Sequence, residues 1–436
     1  MKENTTVSTP FFQQIADYIS TWFGLVRLRS LTIAHQPSLT KQASNGGSAV
    51  NRVFRSLHVL FMFVFAVCIF NSCKNEIQTK CKDCLILHAS LEEEDVSLNR
   101  LFDKIELIPL ETNDQSLISK IEKYDYWNGK HYIFDERQFI LFFFDEEGHY
   151  VNRIAKRGQG PGEYNFVYDF ALNPSKGLIH LSSPHKYIYC YDFEGKHIKT
   201  YDFTLSLPGI QEMAILDDDF FIIWTSNSLD DHDCMFIISQ ETGKIVNSFY
   251  KNKSVYNKWT SNVFRMYNND TYFHLWLFNT VYKITKDGYT ESYEWNFGNE
   301  TMDIMRYDIF TSVQNLNKDM DNLEQKIQNG VIPYEITRNF QNLHYYCAQL
   351  RFDRKTEKTV LYDKKSGKSI FFELTTEGIQ FFPILYFGDE YMISALNYDD
   401  REKLLDCPLL EETDREKLLS FKWDDNPFLV RYYFKK

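Results

Sequence analysis

The chain has 436 residues, 44% of them hydrophobic, and a formal net charge of −12 at pH 7. That length holds one large domain or two medium ones. The acidic balance, with no basic arm or recognised nucleic-acid motif, excludes bulk attraction for DNA or RNA, so no nucleic acid is expected as a partner. Aromatics reach 17%, with 37 Phe and 28 Tyr, a bias toward strands, where such side chains pack on pleated faces.

Residues 1–50 are polar and non-repetitive apart from WFGLVRLRSLTIA. Arg52 and Arg55 then precede LHVLFMFVFAVCIFNSC. Its apolar core, roughly Val59 to Phe70, is about a dozen residues, where a transmembrane helix needs about 20. A short apolar run behind basic residues has the form of a secretory signal; the plain alternative is a buried apolar segment. The run ends Phe70-Asn71-Ser72-Cys73. A small residue before Cys looks like a bacterial lipobox, with Phe70 where Leu is usual, and it makes Cys73 the lipidated first residue after cleavage. Signals normally open a chain, so residues 1–50 are expected to be a non-native or disordered extension, with translation starting near Val50 or Val53. Residues 51–72 are then the signal peptide and 73–97 a tether, in which SLEEEDVS is a solvated charge run.

Of eight cysteines, Cys81 and Cys84 form one Cys-x-x-Cys just after the expected anchor. One such pair cannot complete a four-ligand zinc site, and no paired His motif follows closely. A disulfide or two free thiols is expected there. Cys190, Cys234, Cys347 and Cys407 are dispersed and read as buried hydrophobes.

From here a short pattern recurs: an alternating apolar run, a polar turn with Gly, and a second alternating run. FILFFFDEEGHYVNRI turns at Gly148, KYIYCYDFEGKHIKTY at Gly195, CMFIISQETGKIVNSF at Gly243, NTVYKITKDGYTESYEW at Gly288 and KTVLYDKKSGKSIFFEL at Gly367. Each is a predicted hairpin. The first four glycines are 47, 48 and 45 residues apart, the period of a β-propeller, in which each blade is a four-stranded sheet. The last interval is 79. Its excess falls on residues 301–333, rich in helix formers and ending at a helix stop, Asn329-Gly330, and reads as a helical insertion. Beyond Gly367, EYMISALNY and NPFLVRYYFKK are strand-like, as is FDKIELIPLE near the start. An N-terminal strand completing the last blade closes a ring and removes its open edges. The expectation is an all-β, six-bladed β-propeller over residues 98–436, with a helical insertion before the fifth glycine hairpin.

The chain resembles the six-bladed β-propeller lipoproteins of Bacteroidetes, related in architecture to NHL-repeat propellers. The residues that carry the likeness are KRGQGPGEY (Lys156 to Tyr164), the preceding FDEEGHYVNRI, the closing NPFLVRYYFKK, and the lipobox Cys followed by FDKIELIPLET. The resemblance spans roughly Leu98 to Lys436. It implies the fold and an exported, membrane-anchored location, placed at the outer membrane, and little about activity.

The GQGPG segment lies where the chain must cross from the rim of the first blade to the start of the second. Gly158, Gly160 and Gly162 supply the bends and Pro161 stiffens them. A crossover explains the glycines but not the flanking charges, so Arg157, Gly158, Gly160, Gly162 and Glu163 form a candidate anion-binding nest. The context fits neither a dinucleotide nor a P-loop motif, and no Gly-x-Ser-x-Gly or His-Glu-x-x-His occurs. LDDDF at residues 216–220 and LDDHDC at 229–234 read as solvated loops rather than metal sites. Trp127, Trp224, Trp276 and Trp295 are expected mostly between blades, with one or two free to stack on a sugar. No catalytic residue, metal ligand or cofactor is named. The expected function is a lipid-anchored module binding a carbohydrate or an envelope protein. The alternative is a metal-dependent propeller hydrolase or lyase acting on a sugar or lactone.

Overall fold

In each of the five glycine turns the first residue caps the turn; at Gly288 it is Thr285, whose hydroxyl oxygen accepts the Asp287 amide at 3.4 Å. Asp145 accepts the amides of Glu147 (3.1 Å) and His149 (2.8 Å), while Gly148 takes the left-handed φ of 91° that the bend requires. Asp192 accepts from Glu194 and Lys196, Ser239 from Thr242, and Asp363 from Ser366. These side chains offer the backbone a local partner and so stop a strand.

This computed structural model describes residues 84–225, 233–251, 262–302, 325–353, 355–381 and 383–435. The chain divides into two units, Met1–Lys80 and Cys81–Lys436, and the described residues belong to the second. The signal, Cys73 and residues 303–324 of the expected insertion lie outside them.

Each glycine turn joins the third and fourth strands of a blade. The innermost strands of blades one to six are Lys123–Trp127, Asp169–Asn173, Glu212–Leu216, Phe264–Tyr267, Glu335–Gln341 and Ile384–Phe387. They pack side by side in that order, and the sixth meets the first. Blade six runs Ile384–Phe387, Tyr391–Leu396, Phe428–Phe434 and then Phe102–Pro109, the N-terminal strand, antiparallel to the C-terminal one from Phe102 opposite Phe434 to Pro109 opposite Phe428. The protein is therefore an all-β, six-bladed propeller closed by its N-terminal strand.

Period-2 alternation distributes the core. In blade one, Tyr132, Phe134 and Phe143 face blade two, whereas Ile133, Phe142 and Phe144 face blade six. Repeated at each junction, this makes six apolar clusters among the described residues, one between each pair of neighbouring blades. Trp224 and Trp295 are buried in two of them, and Trp127 stacks on Phe193 across blades one and two with ring centroids 4.6 Å apart.

Three features depart from expectation or went unread. The stretch read as a tether is structured from Leu85 onward. Leu85–His88 adds a fifth strand, parallel to Gly288–Asn296, on the outer edge of blade four. Glu94 then donates its amide to Phe371 at the edge of blade five, and Val96 is fully buried. An open edge invites pairing with another chain, and the apolar side chains among the acids, Leu87 and Val96, supply the drive to cover it. Within blade six, residues 397–427 carry two helices, Glu402–Leu405 and Glu412–Ser420. They cover the edge of the closing strand: Asp414 accepts the Leu107 amide, and Lys417 donates to the Leu107 carbonyl at 2.9 Å. Of the expected insertion, residues 325–328 are helical and stop at Gly330, whose φ is 69°. Cys84 is disulfide-bonded; its partner lies outside the described residues. The four dispersed cysteines are buried and not in disulfides.

Candidate functional site: the axial cavity

Several innermost strands open on a charged residue whose side chain is tied to a neighbour. Asp169 takes the Lys123 ammonium at 2.6 Å and the Met213 amide at 2.7 Å, linking blades one, two and three. Glu212 accepts the amides of Asn262 (2.7 Å), Val263 (2.8 Å) and Phe264 (3.2 Å), where blade four begins. Both acids are fully buried. Burial raises the Asp169 carboxyl against the pull of Lys123. Burial and the nearby Asp169 charge push Glu212 up to about 7, against Lys123 and the amides. Glu335 pairs with Arg351. Asp169 and Glu212 serve as interblade latches, whereas Arg351 lies opposite Glu335 on the next strand of the same blade.

Further along the same strands lies a cavity of about 240 Å³, lined by innermost-strand residues of all six blades. Its polar lining includes Asp125, Arg265 and Asn339, and its aromatic lining Tyr267, Phe340 and Tyr386. Asn339 is 6% exposed. Its Oδ1 accepts the Tyr293 hydroxyl at 2.8 Å, but its Nδ2 is buried with no acceptor. Arg265 lies over the Phe340 ring, 4.7 Å from its centroid, and its Nη1 donates to Asn262 Oδ1 (2.9 Å) and the Phe264 carbonyl (3.0 Å). Its Nε, too, is buried without an acceptor. Burial lowers the Arg265 guanidinium to about 10, with Glu212 opposing and Arg338 adding to the fall, so it stays charged at neutral pH. An unmade buried hydrogen bond costs about 1–3 kcal/mol. With Gln341 Nε2, a third such donor on the lining, they mark a surface built for something other than stability.

Asp125 belongs to the same wall. It accepts the Tyr126 amide at 2.8 Å, and burial raises its carboxyl to about 6 against that amide and the Lys123 charge. An acid whose folded pKa lies above its unfolded value contributes fully below the unfolded pKa, about 4, and loses that contribution as pH rises through 6. Asp125→Asn is therefore expected to be more stable than the parent above pH 7, by roughly 1–3 kcal/mol, and nearly equal to it at pH 4. Urea midpoints at the two pH values check this; an equal difference at both would reject it.

The sequence-predicted residues lie elsewhere. None of Arg157, Gly158, Gly160, Gly162 and Glu163 lines the cavity. Their loop closes on itself: Tyr164 donates its amide to Lys156, and Gly158 donates to Tyr164. The buried Tyr164 hydroxyl donates to the Phe139 carbonyl at 2.8 Å, which anchors the end of the string. Glu163 turns inward and accepts the Gly160 amide at 2.8 Å. The exposed Arg157 lies 5.5 Å from the centroid of the Phe139 ring. The left-handed residue is Gly162, φ 76°, where a Cβ would strike the His197 ring. Gly160 carries no positive φ, and a Cβ there would meet only the Glu163 carboxylate, at 3.1 Å. Gly162→Ala is expected to cost about 1–3 kcal/mol from the backbone alone, and Gly160→Ala about 0.5 kcal/mol. Thermal melts rank the two; the reverse order would overturn this assignment.

Of LDDHDC, Asp230, Asp231 and His232 lie outside the described residues, and Asp233 accepts the Ser248 hydroxyl at 2.6 Å. No Trp lines the cavity; its aromatics are Tyr and Phe. The residues missed, Arg265 and Asn339, stand in VFRMY and ITRNFQ. The available signal was polar side chains within strand-like runs, 23 and 28 residues before the turns at Gly288 and Gly367, where an innermost strand belongs.

The family model described as "Domain of unknown function (DUF4934)" matches residues 86–433. No curated protein matches the sequence. Among solved structures, a Bacteroides fragilis NCTC 9343 protein described as exported is similar at a TM-score of 0.64 and 17% identity, over 80% of this chain and 100% of that one. A member of the DUF4221 family from Bacteroides vulgatus is similar at a TM-score of 0.47 and 12% identity, over 76% and 98%. These likenesses are of fold.

Proposed function

The chain belongs to the DUF4934 family, whose description assigns no activity, and from its own geometry we propose that it is a binding module of the cell envelope that takes a small polar ligand into the axial cavity. The observation that carries this reading is the set of buried, unpartnered donors on the cavity wall, Asn339 Nδ2, Arg265 Nε and Gln341 Nε2. A propeller supplies a rigid ring, and its function lies in the site grafted on it. Asp125, retained there at a cost in stability, supports the same reading.

Export is supported by the signal-like run, by the Cys84 disulfide, which suits an oxidising compartment, and by the fold shared with a protein described as exported. Among the described residues no helix is long and apolar enough to cross a membrane. The proposed anchor is lipid on Cys73; Cys73→Ala is expected to leave the membrane fraction or to persist as an uncleaved precursor.

The metal-dependent hydrolase reading requires donors converging on the axis. Among the described residues, the group spaced to hold an ion is Asp145, Glu147 and His149, in the rim turn at Gly148. Nothing favours it over the internal bonds that turn already makes.

The cavity is tested by filling it. Ala214 lines it, and Ala214→Phe removes space while leaving every polar group. Calorimetric titration with a panel of neutral and acidic monosaccharides and amino acids should find a ligand for the parent and none for the variant. Equal binding by both would place the site elsewhere.

A further inference from the structure

We infer that the ligand of the axial cavity is a small monocarboxylate bearing hydroxyl groups, of the sugar-acid type. This rests on the binding role proposed above and names its chemistry. The cavity's charges leave one cation available. Lys123 is neutralised by Asp169 at 2.6 Å. Arg265 makes no ion pair within 4 Å among the described residues; its bonded partners are the neutral Asn262 side chain and the Phe264 carbonyl. Lying over Phe340 with its Nη1 bonded twice, the guanidinium is held in place, and a planar fork held in place is the recognition element for a carboxylate.

The other polar groups call for an uncharged, hydroxylated body. Asn339 is locked by the Tyr293 hydroxyl on its oxygen, so it presents only a donor. Asp125 presents an acceptor, since among the described residues its bonded partner is the Tyr126 amide. A donor and an acceptor on one cavity wall match a hydroxyl, which both gives and takes a hydrogen bond. The Asp125 charge also opposes a dianion such as phosphate. Tyr267 and Tyr386 supply flat apolar faces of the kind that pack on the C–H face of a sugar ring. The volume, about 240 Å³, falls below the roughly 300–1,000 Å³ of sites for drug-sized ligands.

The test is calorimetric titration of the full propeller with D-glucuronate, D-glucose, L-glutamate and inorganic phosphate. Glucuronate is expected to bind at least tenfold tighter than each of the others. Arg265→Gln should weaken glucuronate at least tenfold and glucose by much less, so that the preference for the acid is lost. If that variant does not fold, Arg265→Lys keeps the charge and the stem but not the fork, and should weaken glucuronate about tenfold. Equal binding of glucose and glucuronate would overturn the carboxylate assignment and leave the binding role standing. Glutamate binding as tightly as glucuronate would overturn the hydroxylated body. Phosphate binding tightest would overturn the monoanion. No binding by any solute, or binding that survives Ala214→Phe, would defeat the cavity as the site and with it the inference.

Discussion

A chain that begins at Thr112, and so lacks the strand Phe102–Pro109, is expected to lose its cooperative unfolding transition. That strand pairs along its length with Phe428–Phe434. It buries Phe102, Ile105, Leu107 and Ile108, each no more than 3% exposed. At about 1.5–3 kcal/mol per buried side chain the four contribute roughly 6–12 kcal/mol, an upper estimate that rivals the whole stability of a typical domain, about 5–15 kcal/mol. Removal also bares the edge of Phe428–Phe434, a template for aggregation. A chain beginning at Cys81 should melt as the full-length protein does, because it keeps the strand and the edge-covering segment from Leu85. Phe102→Ala offers a graded version: the ring contacts Phe381, Tyr432 and Phe434 at centroid distances of 5.3–5.5 Å, and its loss should cost about 3–5 kcal/mol. Circular dichroism melts decide the matter. A Thr112 chain with the parent's midpoint would show that the ring does not depend on this closure.

Glu212→Ala is expected to be the most damaging single polar substitution, at about 3–5 kcal/mol. The carboxylate accepts three consecutive amides where blade four starts. Without it those donors face a dry junction between blades three and four, and each unsatisfied group costs about 1–3 kcal/mol. Glu212→Gln should fall between alanine and parent, since one carbonyl oxygen still accepts while the new amide nitrogen faces donors. Guanidinium titrations of the two variants give the comparison. If alanine proves no worse than glutamine, the latch is not what joins these blades.

The blade count, the turn positions and the closing strand were legible in the sequence because they follow from local chemistry. Asp145, Asp192 and Asp363 cap turns within a few residues of themselves, and period-2 alternation around each turn leaves little choice but a hairpin. The spacing of those turns then implies the ring. The stop at Gly330 is local in the same way. What the sequence could not rank was which polar residues matter. KRGQGPGEY stands out as a string, yet Glu163 spends itself on the loop's own backbone and the Tyr164 hydroxyl on the Phe139 carbonyl. Arg265 and Asn339 look ordinary, being 74 residues apart in unremarkable strands. Only closure of six blades brings them to one cavity, and only there does the lack of an acceptor for Asn339 Nδ2 become visible. The same holds for Glu212, whose partners begin 50 residues later, and for Leu85–His88, whose partner strand ends at Asn296. Turn chemistry acts over three or four residues and can be read from the chain, whereas hydrogen-bond satisfaction and burial depend on which distant strands become neighbours, and that was decided by the closed ring.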